Sequence, residues 1–374
     1  MSTQRHLFSL QTFMIGVTWK VWWQILRQNR FAVDFPYWFR ALAATFAAPV
    51  NSLEKSLEDR EFASAIEQTP IEKDPIFLLG HWRSGTTHLH YLLCQDPQFA
   101  APNNYQTARP HAFLRAHEKT FIPRMIEKLG IMPKVRPMDN VAVSLDSPQE
   151  DEQGIFLACG LSPIGAWLFP RHEPFYNRFF TFEEATEEER QTWKKTILWV
   201  VKKLTLRNGG RQLVLKSPPH TSRIPLLLEL FPKAKFIHIH RHPYEVFRST
   251  CHFYNTLVRH VNLQNLEESQ ITKSVLDRYA ILYEAFFASK SLVGEGRFFE
   301  MGYDALDKHP MEAMERLYQA LDLGDFDALR PRIASYLDTV QNYAKNPPKP
   351  LAGEIKKHIQ KRWQSSFQAW GYEP

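Results

Sequence analysis

A chain of 374 residues is long enough to bury a full hydrophobic core, and 44% hydrophobic with 23% charged residues is globular composition, not disorder. The 46 Lys and Arg against 40 Asp and Glu give a formal charge of +6, which suits an anionic ligand or a membrane surface but falls short of a dedicated nucleic-acid binder. The three cysteines, Cys94, Cys159 and Cys251, match no zinc spacing, and an odd number argues against a disulfide framework, so a reducing, cytoplasmic setting is expected.

Residues 1–72 read as helices broken at Pro36, Pro49 and Pro70. The longest uncharged apolar run, Leu7 to Trp19, is closed by Lys20 and is shorter than the ~18 residues of a membrane span. No small-residue cleavage site follows it, so no signal peptide is expected. Residues 1–50 are rich in Phe, Trp and basic side chains. Apolar helical faces are most often core, so a helical arm over residues 1–73, packed on a main domain over 74–374, is expected. Peripheral contact of residues 1–50 with a bilayer is the alternative.

The first clear strand is Pro75-Ile76-Phe77-Leu78-Leu79-Gly80, a continuous apolar run of the kind covered on both faces. A loop from Gly80 to Thr86 comes next, then a helical stretch with Leu89, Leu92 and Leu93 on one face. Residues 97–180, rich in proline, aromatics and histidine, read as irregular with short helical pieces at best. Thr186 and Glu189 form a capping box for a helix whose stripe is Trp193, Ile197, Val200, Val201 and Leu204. Lys202 and Lys203 fall in its last turn, where they match the helix dipole, and Gly209-Gly210 stops it. A strand Gln212–Lys216, a helix Ile224–Leu230 and a strand Lys235–His240 come next, with Pro243 opening another helix. A fourth strand, Arg297–Met301, precedes a helix with Met311, Met314, Leu317 and Leu321 on one face, and an amphipathic helix spans about Glu354 to Trp370. Strand alternating with helix predicts a parallel α/β sheet whose strand C-terminal ends carry the ligand.

Two stretches carry chemistry. Gly80-His81-Trp82-Arg83-Ser84-Gly85-Thr86-Thr87 nearly spells a phosphate-binding loop, G-x-x-x-x-G-K-[ST], with Thr86 in the lysine position. Its glycines still let backbone N–H groups converge on an anion at a helix N-terminus. Arg241 closes a strand, where it can contact a phosphate in bidentate fashion, and Ser249 stands about 9 Å up the helix opened by Pro243. Two anion sites fit a nucleotide with phosphates at both ends of its ribose.

In this order the motifs resemble the sulfotransferase family that uses 3′-phosphoadenosine-5′-phosphosulfate (PAPS), most closely its bacterial-type branch. The resemblance covers residues 74–374. It is carried by Gly80 to Leu89, Lys216-Ser217-Pro218-Pro219-His220, Phe236 to Ser249 and Tyr303-Asp304-Ala305-Leu306. It implies a P-loop-type three-layer fold with a central parallel sheet, and PAPS as donor. Arg83, Ser84, Gly85, Thr86 and Thr87 would hold the 5′-phosphosulfate, Arg241 and Ser249 the 3′-phosphate. Lys216 would stand near the bridging oxygen, and Trp82 and Tyr303 would pack around the nucleotide. Lys345, Lys349, Lys356 and Lys357 receive no role.

A sulfuryl group carries less charge than a terminal phosphoryl group, so cationic side chains and oriented N–H groups can serve without metal. The acceptor's proton still needs a base. Glu150 and Glu152, in the acidic run Ser147 to Glu152, are the leading candidates and His220 is the rival. His238, His240 and His242 lack the further ligands of a metal site, and none is expected. Trp167, Phe169, Phe175, Tyr176, Phe179 and Phe180 read as core or as an apolar acceptor pocket. The acceptor is expected to be a small molecule, lipid or carbohydrate, bearing a hydroxyl or amine, and not a nucleic acid. Two other classes fit parts of the pattern: a metal-dependent small-molecule kinase, which needs a lysine where Thr86 stands, and a non-catalytic nucleotide-binding adaptor at a membrane.

Overall fold

The computed structural model describes residues 14–116, 144–340 and 350–374. Lys345, Lys349 and the first half of the Leu7–Trp19 run lie outside the described residues. The described residues begin with helices α1 (Trp19–Gln28) and α2 (Trp38–Gln68), then strand β1 (Ile76–Leu79), helix α3 (Thr86–Leu93) and strand β2 (Phe99–Ala100). Helices α4 (Asp151–Cys159) and α5 (Glu187–Arg207) precede β3 (Gln212–Lys216), β4 (Lys235–His240), α6 (Pro243–Phe253) and α7 (Glu268–Ser289). Strand β5 (Phe298–Gly302) runs into α8 (Tyr303–Lys308), α9 (Pro310–Leu321) and α10 (Phe326–Val340), followed by α11 (Gly353–Arg362) and α12 (Gln364–Trp370).

The chain divides into two units. One comprises Met1–Ile71, Pro102–Gly210 and Phe253–Ile271, the other Glu72–Ala101, Arg211–His252 and Thr272–Pro374. Residues 74–374 contribute segments to both units.

The first unit is helical. In α1, Val21, Trp22, Ile25 and Leu26 turn inward at helical spacing. Trp22 Nε1 donates to Thr45 Oγ1 of α2 at 2.8 Å, and Asn51 Nδ2 donates to the carbonyls of Ile15 (2.6 Å) and Val17 (2.8 Å). Helix α2 runs through Pro49, where a break was expected. The ring lies on the exposed side, and the helix forgoes one N–H donation there without ending.

Helix α5 forms as its sequence reads. The Thr186–Glu189 capping box is reciprocal, and the stripe from Trp193 to Leu204 is buried. Gly209 and Gly210 take φ of +63° and +81°. Lys203 departs from the reading. It is fully buried, paired with Glu58 of α2, and lies over the rings of Phe113 (4.2 Å) and Trp199 (4.8 Å). Burial pulls its ammonium down to about 8, against the raising effect of Glu58. Glu58 also accepts the backbone N–H groups of Leu114 (2.8 Å) and Arg115 (3.1 Å).

The stretch expected to be irregular contains a nine-residue helix, α4, closed by Gly160 at φ +76°. Its aromatic run is largely core. Phe169, Tyr176, Phe179 and Phe180 are buried, and Phe179, Phe182 and Trp193 form a ring ladder.

In the second unit, five strands form one parallel sheet in the order β2-β3-β1-β4-β5 among the described residues. Strand alternation sends Ile76, Leu78, Val214, Ile237 and Ile239 into one apolar cluster with Leu89 and Leu93 of α3, Met314 of α9 and Ile333 of α10. Phe77 points the other way, onto Phe231 and Phe236 (5.8 and 5.6 Å). His238 stacks on Phe286 of α7 at 4.2 Å. Helices therefore cover both faces. The single helix expected over 354–370 is broken at Trp363, whose indole stacks on Tyr279 at 3.6 Å and donates to Leu276 O at 3.0 Å. Among the described residues no helix is long and apolar enough to cross a membrane.

Strand order places the functional edge. After β1 the chain moves to the β3–β2 side, and after β4 to the β5 side. The two connections part at the C-terminal ends of β1 and β4, which is the switch point where open α/β sheets leave a crevice.

Candidate nucleotide and sulfuryl-transfer site

The loop after β1 is built against its neighbours. Gly80 has φ +142°, and a Cβ there would lie 2.5 Å from Ile239 O of β4. Its N–H donates to Thr221 Oγ1 at 2.8 Å, tying the loop to the segment after β3. Ser84 Oγ turns back to donate to His81 O at 2.8 Å. Arg83 takes φ +73°, a left-handed conformation that costs a non-glycine residue about 1–3 kcal/mol and points to a functional constraint. Gly85, at φ +102°, caps α3, and a Cβ on it would meet the Tyr303 ring at 2.3 Å. The first turn of α3, with Thr86 and Thr87, therefore opens at this edge, and a helix N-terminus is a place where backbone N–H groups can bind anions.

The two sequence stretches meet here. Arg83 Nε donates to Ser249 Oγ of α6 at 2.9 Å. Arg241, one residue past β4, donates to Arg83 O at 3.4 Å and lies 4.4 Å over the Tyr303 ring. Arg83 and Ser249, assigned from sequence to opposite ends of a nucleotide, thus share one edge. Trp82 is buried, with His81 edge-on at 5.5 Å and the Arg278 guanidinium 5.5 Å over its ring. Lys216 ends β3 opposite Leu78 and is buried. Burial pushes the Cys94 thiol up to about 12, and the charge of Lys216 acts against that shift.

A cavity of about 520 Å³ adjoins Arg241 and Tyr303. Arg248, Lys356 and Tyr244 line it too, and sequence reasoning gave none of them a role. Arg248 was within reach, since it directly precedes Ser249 in the same motif. Lys356 was not, because only the fold brings α11 to this place; its Nζ lies 5.5 Å over Tyr244. Glu245, Asp304 and Asp307 supply carboxylates. Glu245 pairs with Arg248 and lies 4.0 Å from Arg241, so one carboxylate serves two guanidiniums. Burial and the charge of Arg241 both lower the Arg248 pKa. The Tyr303 hydroxyl donates to Asp307 Oδ1 at 3.1 Å. Burial, with Asp307 adding to it, pushes that phenol up to about 12, so it stays neutral.

The base candidates fall in different places. His220 is fully buried in the 3₁₀ turn Pro218–Ser222, edge-on to Phe77 at 5.4 Å. Glu150 and Glu152 belong to the first unit. Glu150 is the N-cap residue of α4, and Glu152 is fully buried and accepts from Ser162 Oγ. The strand histidines are engaged in the fold. His238 Nδ1 contacts Glu300 Oε1 at 2.9 Å, and His240 stacks on Trp370 at 4.6 Å with its Nδ1 at 2.9 Å from the Tyr372 hydroxyl. Among the described residues, no three His, Cys, Asp or Glu side chains converge as metal ligands.

This geometry coincides with a family match: the sulfotransferase family profile fits residues 75–327. The chain belongs to the sulfotransferase family. A curated relative from Mycobacterium bovis, omega-hydroxy-beta-dihydromenaquinone-9 sulfotransferase Stf3, is 36% identical over 362 residues, which is 96% of this chain and 91% of that protein. The Mycobacterium tuberculosis protein of the same name matches equally. Among solved structures, sulfotransferase STF1 from M. tuberculosis superposes with TM-score 0.67 at 15% identity, covering 98% of this chain and 99% of that one. Sulfotransferase STF9 from Mycobacterium avium gives 0.66 at 18%, covering 96% and 97%. These two establish the fold, and the protein is a sulfotransferase enzyme of the P-loop-type architecture.

Proposed function

We propose that this sulfotransferase takes its sulfuryl group from PAPS, with the 3′-phosphate at Arg241 and Ser249 and the 5′-phosphosulfate at residues 83–87. The observation that carries the reading is the meeting of Arg83, Arg241, Ser249 and Tyr303 at the β1/β4 switch point. A Cβ at Gly80 would clash with Ile239 O and one at Gly85 with the Tyr303 ring, so the loop can lie this close to β4 and Tyr303 only with glycine at both positions. Asp304 and Asp307 suit the hydroxyl and amine donors of a nucleoside.

In the reaction the acceptor oxygen bonds to sulfur while the bond from sulfur to the 5′-phosphate oxygen breaks. That oxygen keeps the electron pair, and adenosine 3′,5′-bisphosphate leaves. Arg83, Lys216 and the α3 N-terminus meet the developing charge. One of Glu150, Glu152 or His220 takes the acceptor's proton. The proposed acceptor is a hydroxyl on an apolar, lipid-like molecule, supported by the relative whose name specifies a hydroxylated menaquinone. We further propose that such an acceptor is met at a bilayer surface through α1 and α2.

The test is transfer from ³⁵S-labelled PAPS to a panel of long-chain alcohols, phenols, sugars and amines. Label in a long-chain alcohol supports the reading. Label only in sugars or amines overturns the acceptor class, and no label in any acceptor favours a nucleotide-binding adaptor.

A further inference from the structure

A helix packed on one side and solvated on the other carries polar residues outward. Helices α1 and α2 break that rule over a bounded stretch. Ten of the eleven large hydrophobic side chains exposed among the described residues fall between Ile15 and Leu53. On α1, Trp19 and Trp23 point outward although Trp22, Ile25 and Leu26 already fill the inner face. On α2 the outward stripe is Trp38, Leu42, Phe46 and Val50, spaced by four, with Leu53 after it. The same helix then changes character. Beyond Leu53 its exposed positions are Ser56, Arg60, Glu61, Ala63, Ser64, Ala65, Glu67 and Gln68, none of them a large hydrophobic side chain. An apolar exterior that stops at one residue of a continuous helix marks a surface with an edge.

The exposed rings form clusters rather than scattered side chains. Trp19 stacks on Trp23 at 5.7 Å, and Trp23 meets Phe31 edge-on at 5.2 Å. Phe35, 76% exposed, meets Trp38 at 5.3 Å. The charge around them has one sign. Lys20, Arg27 and Arg30 are exposed, and the single acid between residues 14 and 53, Asp34, is bound to Arg171 at 2.7 Å. A second copy of the chain would set these cations against their own kind. An anionic lipid surface would meet them with opposite charge while its acyl boundary takes up the rings, as tryptophan and basic residues do at membrane interfaces.

We propose that the outer face of α1 and α2, from Trp19 to Leu53, docks on an anionic lipid bilayer, inserting Phe35, Trp38 and Phe46 into the headgroup boundary while Lys20, Arg27 and Arg30 contact lipid phosphates. The inference assigns a face and a lipid charge to the bilayer contact of the proposed function. It needs no sulfuryl transfer, so its failure leaves the donor reading standing.

The test is co-sedimentation of the full chain with phosphatidylglycerol vesicles and with phosphatidylcholine vesicles, at low and high salt. The expected result is binding to phosphatidylglycerol, weakened at least tenfold by high salt and by phosphatidylcholine. Phe35→Ser/Phe46→Ser/Leu53→Ser is expected to lower binding at least tenfold while keeping the wild-type melting temperature, because these side chains are among the most exposed. Lys20→Glu/Arg27→Glu is expected to lower binding to phosphatidylglycerol alone. Brominated lipids are expected to quench tryptophan emission in the wild type. Wild-type protein left in the supernatant with phosphatidylglycerol at low salt overturns the proposal. Equal binding by the triple serine variant also overturns it, as does a wild-type dimer that this variant makes monomeric, since the face is then covered by a second copy.

Discussion

Buried charge serves opposite ends in the two units. In the first, Lys203 faces one carboxylate, Glu58, and the Pro110 carbonyl, beneath a lid of aromatic rings, and both charged side chains are sealed from water. In the second, Arg241 and Arg248 both approach Glu245 on the rim of a cavity of about 520 Å³ that Asp304 and Asp307 also line. A cation matched one to one and closed off holds helices together. Two guanidiniums this close at an open strand edge repel each other, and Arg241 adds to burial in lowering the Arg248 pKa; under the proposed function an incoming phosphate offsets that repulsion. Under the proposed function, the difference separates charge that organises the fold from charge kept for a ligand.

The sharpest challenge to that distinction is Glu152. It is buried and bonded to Ser162 as a structural acid would be, yet it is a base candidate. Among Glu150→Gln, Glu152→Gln and His220→Ala, one variant is expected to lower turnover about 10²–10⁴-fold while bisphosphate binding survives. Near-normal turnover in all three removes them from the base role. If Glu152→Gln is the inactive one and melts normally, a closed acid in the first unit serves chemistry and the comparison needs redrawing.

Next in size is Glu58→Ala, which leaves the Lys203 charge buried without its carboxylate and is expected to cost about 3–5 kcal/mol of stability. Chemical denaturation measures it. Nucleotide affinity of the folded fraction should not change. Arg241→Ala reverses the pattern. It should leave the denaturation midpoint nearly unchanged and cost about 2–3 kcal/mol, or roughly 30- to 150-fold, in binding adenosine 3′,5′-bisphosphate. Binding of adenosine 5′-monophosphate to this variant should fall much less. Equal losses for both nucleotides would remove the 3′-phosphate from Arg241.

The most gradual effect, about one proton per site, is set by pH and touches both units. Burial holds His111 in the first unit and His81 in the second at about 3, and His240 at about 4. These values lie below the ordinary ~6.5, so the unfolded chain binds more protons as pH falls. Stability is therefore full above about pH 6.5 and is lost on acidification towards pH 4, by up to about 1.4 kcal/mol per pH unit for each histidine. His111→Phe should flatten the measured slope by one proton. An unchanged slope would show that His111 is not held neutral.

How far these features could be read from sequence obeys the same divide. β1, β3 and β4 announce themselves as short apolar runs, and the loops at their ends are set by backbone geometry that glycine and proline encode locally. The Thr186–Glu189 cap and the α5 stripe were legible for the same reason. Strand β2 was not, because two residues carry no period. Helix α4 was hidden because its polar residues, Asp151, Glu152 and Gln153, come in one block before its apolar ones, with no amphipathic stripe to show it. Lys203 looked like an exposed last-turn cation, since nothing near it in sequence reveals Glu58, 145 residues away. Lys356 was hidden for a similar reason, since only tertiary contact brings α11 to the cavity, whereas Arg248 could be read from its place beside Ser249.

The central claim is that the β1/β4 edge is built for a nucleotide phosphorylated at both ends of its ribose. Isothermal titration of the unmodified protein with three ligands tests it most directly: adenosine 3′,5′-bisphosphate, adenosine 5′-monophosphate, and ATP with Mg²⁺. The account predicts that the bisphosphate binds more tightly than the monophosphate by roughly 30-fold or more, the value of a charge-assisted contact to the 3′-phosphate, and more tightly than ATP with Mg²⁺. ATP with Mg²⁺ binding as tightly as the bisphosphate, or a monophosphate that binds equally well, would contradict it.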